Sequence, residues 1–140
     1  MDQRIETTWW VLRLALGITA FLAGLDKFFN LLANWESYLS PLASQVLPIS
    51  SVTFMQVVGV IEMAVAALIL LGYSRLGGYI AAIWLVGIAL NLVTTGQYFD
   101  IAARDVVMAM AALSLARLTE YRESVLGTDR EASRMAHSRA

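Results

Sequence analysis

The chain has 140 residues, of which 59% are hydrophobic, and its ten basic and eleven acidic residues leave a net charge of −1. A soluble domain this small buries the smallest share of its surface and cannot hide so much apolar side chain, so the excess belongs in lipid. The charge balance leaves no whole-chain electrostatic case for nucleic acid, and the absence of cysteine excludes disulfides, thiol redox chemistry and cysteine-bound clusters or zinc.

Charge is distributed so unevenly that it marks out the elements. A transmembrane helix needs about 20 mostly apolar residues. The first such stretch runs from about Thr7 to Phe29. A cleaved leader over Met1 to Ala23 is the weaker reading, because Arg13 interrupts its apolar region, Asp2 and Glu6 precede it and no small-x-small cleavage site follows. From Asn30 to Thr53 the chain is not a span. Leu31, Leu32, Trp35 and Leu39 share one helical face, which predicts a short helix lying in the outer interface, broken at Ser40-Pro41 and again at Pro48. The second span covers about 54–72, where Glu62 is the only charge between Glu36 and Arg75, and the third about 76–95, with no charge from Leu76 to Phe99. The fourth, about 102–118, opens with Arg104 and Asp105 in its first turn. Residues 127–140 have almost no apolar content and read as a solvated, disordered cytoplasmic tail.

This pattern predicts an all-α integral membrane protein: an antiparallel four-helix bundle over residues 1–126 with an outer interfacial helical loop. Of the ten positive residues, only Lys27 and Arg104 fall on the face opposite the termini, so the positive-inside rule places both termini in the cytoplasm. Trp9 and Trp10 match an aromatic belt at the inner interface.

Polar groups at bilayer depth carry the functional argument, since each charge there costs at least about 2.5–3.5 kcal/mol. Glu62 is eight residues into its span, about 12 Å below the outer end. It reads either as half of an ion pair holding helices together or as a proton-accepting or ligand-binding carboxyl. Asp26 and Lys27 close the first span, and Arg104 and Asp105 open the fourth, so all four lie near one outer level, where Lys27 or Arg104 could bend toward Glu62. Asn91, Thr94 and Gln56 add uncharged hydrogen-bonding groups at similar depth. Arg13 reads as an anchor to the inner headgroups, or as the partner of a carboxylate on another subunit. The candidate ligand-binding or proton-handling set is therefore Glu62, Lys27, Arg104, Asp26, Asp105 and Asn91. No catalytic residue is assigned. The only histidine, His137, lies in the tail, so no metal site is expected inside the bundle. Small residues at Ala20 and Gly24, Gly78 and Ala82, and Ala112 and Ala116, with Gly17 a heptad before Gly24, mark places where helix backbones can approach.

Two of these stretches resemble the DoxX-like family of small four-helix bacterial membrane proteins. Arg13, Gly17, Gly24 and Lys27 match its first-span pattern, and Gly59, Glu62 and Gly72 its second; the likeness covers roughly residues 7–118. The resemblance implies a bacterial cytoplasmic-membrane subunit, in some members associated with a thiosulfate- or thiol-related oxidoreductase that passes electrons to quinone. It implies no covalent cofactor, with quinone as the candidate diffusing partner. The leading expectation is an accessory subunit of a respiratory or redox membrane complex, partnered by other membrane subunits or by copies of itself. The alternative is a stand-alone binder of quinone or another small molecule.

Overall fold

The computed structural model describes residues 1–139, which contain helices and turns and no strand. α1 (Gln3–Asp26), α3 (Ser51–Leu70) and α4 (Ser74–Thr94) are each long and apolar enough to cross a membrane. Between α1 and α3 lie a 3₁₀ turn (Trp35–Tyr38) and the short α2 (Pro41–Val46). α5 (Phe99–Ser138) is 40 residues long. At 1.5 Å per residue it measures about 60 Å, twice the hydrocarbon thickness of a bilayer.

The helix boundaries follow from local chemistry. Asp2 accepts the amide of Arg4 to start α1, and Ser50 accepts that of Thr53 to start α3. α3 ends at a left-handed Gly72 (φ +108°), where the Tyr73 amide reaches back to the Leu68 carbonyl, so that α4 begins within a few residues. Arg13 is built into this end. Its guanidinium lies over the Trp9 and Trp10 rings and donates to the carbonyls of Ile69, at 2.9 Å, and Leu70. The reading of Arg13 as a headgroup anchor is thereby corrected: its charge sits on the last carbonyls of α3, at the negative pole of that helix. Replacing Arg13 with leucine should cost about 1.5–3 kcal/mol, the range for hydrogen bonds to a charged group. Hydrogen exchange should localise the loss to the α3–α4 turn.

The interfacial segment differs from expectation. Leu31 and Leu32 are 85% and 71% exposed and belong to no helix, whereas Leu39 is buried. The segment is broken at Ser40-Pro41 and before Pro48 as expected: the 3₁₀ turn ends at Tyr38, Ser40 caps a separate α2 with Pro41 in its first turn, where a missing N–H costs nothing, and α2 ends at Val46. Residues 127–138 are helical as well, with every residue from Thr128 to Arg139 exposed, and Ala140 lies outside the described residues. Helix stands there in place of the expected disorder, because extending an existing helix avoids the cost of nucleation. Trp9 is also core rather than belt. It is buried, donates to Thr119 Oγ1 at 2.8 Å and is covered by Arg122, which itself clamps Glu6.

The long helices associate as two close pairs. α1 packs tightly on α3 and α4 on α5, while the α3–α4 and α1–α5 contacts are sparser. Small residues make the close pairs possible. A methyl group added at Gly24 would stand 2.6 Å from the Gly59 carbonyl oxygen, and one at Gly78 2.9 Å from that of Ala112. Between α1 and α3, Gly17 meets Leu70 and Gly24 meets Gly59. Trp9, Leu16, Val65, Ile69, Ala81, Ala112 and Leu115 fill the core toward the termini, and Ala89, Leu92 and Ala102 the far end.

Candidate polar site at the seam between helix pairs

Directly beside the Gly24–Gly59 crossing, Lys27 Nζ meets Glu62 Oε2 at 2.6 Å, with the two side chains only 5% and 11% exposed. The glycines explain the proximity: each stands three residues before its charged partner, so the crossing that brings the backbones together brings the side chains together too. The lysine is saturated. Besides Glu62 it reaches the Ala23 carbonyl at 3.5 Å, and its third side lies 3.9 Å from the centre of the Trp35 ring. Glu62 is not: Oε1 has no hydrogen-bond partner among the described residues.

Asp26 faces the other way. It receives the amides of Leu31 and Leu32, at 2.9 and 2.8 Å, and Trp35 Nε1 at 2.9 Å. One carboxylate thus turns the chain out of α1 and pins the indole that covers Lys27. Asn91 has a similar duty at the other end of the loop, accepting from the Ser40 amide and donating to the Tyr38 carbonyl. Tyr38 packs edge-on between Trp35 and Tyr98, so the ring that covers Lys27 is one end of an aromatic row. Asp26→Ala should leave the two leucine amides and the indole without their acceptor. Amide exchange at Leu31 and Leu32 should then accelerate at least tenfold while the Gly24–Gly59 crossing keeps its protection.

Asp105 comes from α5 and lies near enough to Glu62 and Lys27 to feel both charges, half-buried and with no hydrogen bond among the described residues. Arg104 does not join it. It is exposed and unpaired among the described residues, since adjacent residues point about 100° apart on a helix and only one of the two can face inward. Gln56 is partly buried and Thr94 exposed, and neither touches the pair.

Sequence reasoning passed over Trp84. Its indole N–H is buried without a partner among the described residues. Gly77 of α4 packs on Leu68 and Ile69 of α3. Trp84 stands seven residues after Gly77 and Glu62 seven before Ile69, each on nearly the helix face that carries this contact. That heptad offset from the glycine contact was the available signal. α1, α3 and α5 thus bring Lys27, Glu62 and Asp105 within reach of one another's charge. Their charges do not balance, at one cation and two carboxylates. A second carboxylate with no cation of its own among the described residues is a place that can hold a proton.

Among the described residues no group of three or more His, Cys, Asp or Glu could hold a metal ion. A family model described as DoxX matches residues 8–95, which include Lys27, Glu62 and Trp84 and stop short of Asp105. No curated protein and no solved structure matches the chain.

Proposed function

The chain belongs to the DoxX family, and on that premise we propose that it serves as an accessory integral-membrane subunit of a respiratory or redox complex. In this reading α1, α3, α4 and the first half of α5 cross a bacterial cytoplasmic membrane as an antiparallel four-helix bundle. Both termini are cytoplasmic, and the Lys27–Glu62–Asp105 site lies near the outer leaflet. The observation that carries the proposal is the charge surplus at the seam. A buried pair that served only to join helices needs no second carboxylate beside it, and intramembrane carboxylates mark proton and ligand positions by default. The far half of α5 supports a subunit role, since it projects as an exposed charged rod beyond the packed helices. The test is purification of the tagged chain from native membranes in mild detergent. A membrane redox protein should accompany it in fixed ratio; recovery of this chain alone, as monomer or homo-oligomer, contradicts the proposal.

One observation favours the second reading, a stand-alone binder of quinone or another small molecule: the orphaned Trp84 N–H. A ring bearing carbonyl or hydroxyl oxygens fits the groups present, with the indole donating to one oxygen and Glu62 or Asp105 accepting from a hydroxyl. Trp84→Phe removes that donor together with part of the ring. If the seam binds such a ring, titration with a short-chain quinone should show affinity about tenfold weaker, the equivalent of one hydrogen bond. Unchanged binding would exclude the indole from the site.

A further inference from the structure

Lys27 is the only lysine in the chain, and its side chain is 5% exposed. Its Nζ meets Glu62 of α3, the Ala23 carbonyl of its own helix and the face of the Trp35 ring. Of these three covers, only Trp35 comes from outside the helices long enough to cross a membrane. It opens the 3₁₀ turn, so a loop residue closes the ammonium off from the aqueous face at that end of the bundle.

That loop is fastened unevenly. From Leu31 to Ser37 its hydrogen bonds to the long helices all end on one side chain, the Asp26 carboxylate, which takes the amides of Leu31 and Leu32 and Trp35 Nε1. Leu31 and Leu32 are exposed, no residue of the 3₁₀ turn is buried, and no side-chain bond caps it. From Tyr38 onward the chain is held firmly. The Tyr38 ring packs on the Ala89, Leu92 and Ala102 cluster, Asn91 holds the Tyr38 carbonyl and the Ser40 amide, and Leu39 and Ser40 are buried. At the near end Asn30 turns the chain in the left-handed region, φ 53°. Local opening draws on segments with few buried contacts, and hinges are a few residues at element ends. Residues 30–37 meet both descriptions. Lifting Trp35 asks one carboxylate to let go and leaves α1 and α3 where they are.

We propose that residues 30–37 are a lid over the Lys27–Glu62 pair, latched by Asp26 and pivoting at residues 38–40, and that water and protons reach the pair from the loop side when it lifts. This rests on the reading of the seam as the working site and adds its route of access. Sulfosuccinimidyl acetate, a charged reagent that stays out of hydrocarbon, acetylates a lysine amine only where water reaches it. With the full chain in lipid nanodiscs, peptide mass spectrometry follows Lys27 separately from the amino terminus. Wild type should react slowly, and Trp35→Ala and Asp26→Ala should each react at least tenfold faster. Trp35→Phe is the gentler variant: it keeps a ring but loses the bond to Asp26, and should react at least threefold faster. Because latch and cover act on one lid, the Asp26→Ala, Trp35→Ala double variant should exceed the faster single by no more than about threefold. Arg13→Leu loosens the bundle about 21 Å along α1 from Lys27 and should stay within about twofold of wild type, since the opening is local. Circular dichroism and monodispersity identify any variant that fails to fold. The proposal is overturned if the folded lid variants react no faster than wild type, if Arg13→Leu accelerates the reaction as much as they do, or if the two single effects multiply in the double variant. The assay needs neither a partner nor a quinone, so its failure would leave the co-purification and titration outcomes standing, and theirs would leave the lid.

Discussion

Lys27→Met should destabilise the folded chain by about 3–5 kcal/mol, the usual loss when one partner of a buried ion pair is removed. The pair is almost wholly shielded, and the lysine spends its three N–H directions on Glu62, the Ala23 carbonyl and the Trp35 ring. Methionine keeps the packing volume and abandons Glu62 among apolar neighbours with Asp105 close by. The double variant Lys27→Met, Glu62→Met removes both charges and should recover to within about 2 kcal/mol of wild type, since apolar replacement of a complete pair is often neutral. Equilibrium unfolding in mixed micelles, followed by circular dichroism, measures both. A single variant within about 0.5 kcal/mol of wild type would show that the pair is not formed in the membrane.

The second large effect concerns the crossing that creates the pair. Gly24→Ala should lower stability by about 1–3 kcal/mol, the range for overpacking, although alanine favours a helix interior by about 1 kcal/mol over glycine. The added methyl would lie 2.6 Å from a backbone oxygen of α3, which no side-chain rotation can move, and 3.1 Å from Glu62 Cβ and Met63 Cγ. α1 and α3 must then separate, and Lys27 and Glu62 with them. Gly87 supplies the control, because nothing lies within 4 Å of an added methyl there and its backbone is helical. Gly87→Ala should stabilise the chain by up to about 1 kcal/mol. If the two variants behave alike in the same unfolding assay, close approach of the backbones is not what holds α1 to α3.

The sequence was legible where one physical constraint dominates. The stretch between Glu36 and Arg75, with Glu62 as its only charge, and the charge-free stretch from Leu76 to Phe99 located α3 and α4, and the cost of burying a charge singled out Glu62 with Lys27 in reach. Legibility failed where a polar side chain had several partners to choose from. Asp26 and Asn91 were grouped with Glu62 by depth alone, yet both turn to loop amides and carbonyls whose positions depend on the 3₁₀ turn and α2. The apolar residues at Leu31, Leu32, Trp35 and Leu39 suited a helix, but Asp26 claims two of the amides that would have begun it. Arg13 was assigned to headgroups because the end of α3 beside it is a tertiary neighbour with no local sequence mark. Trp84 carries no charge to attract notice, and its unpaired N–H is visible only once α3 and α4 are in register.

A map of the protein extracted natively from its membrane tests the buried polar seam and the subunit role at once. Such a map should show Lys27 in contact with Glu62, Asp105 and Trp84 facing the same space, and at least one different polypeptide packed against this chain. A map holding this chain alone, with Lys27 and Glu62 apart, would contradict it.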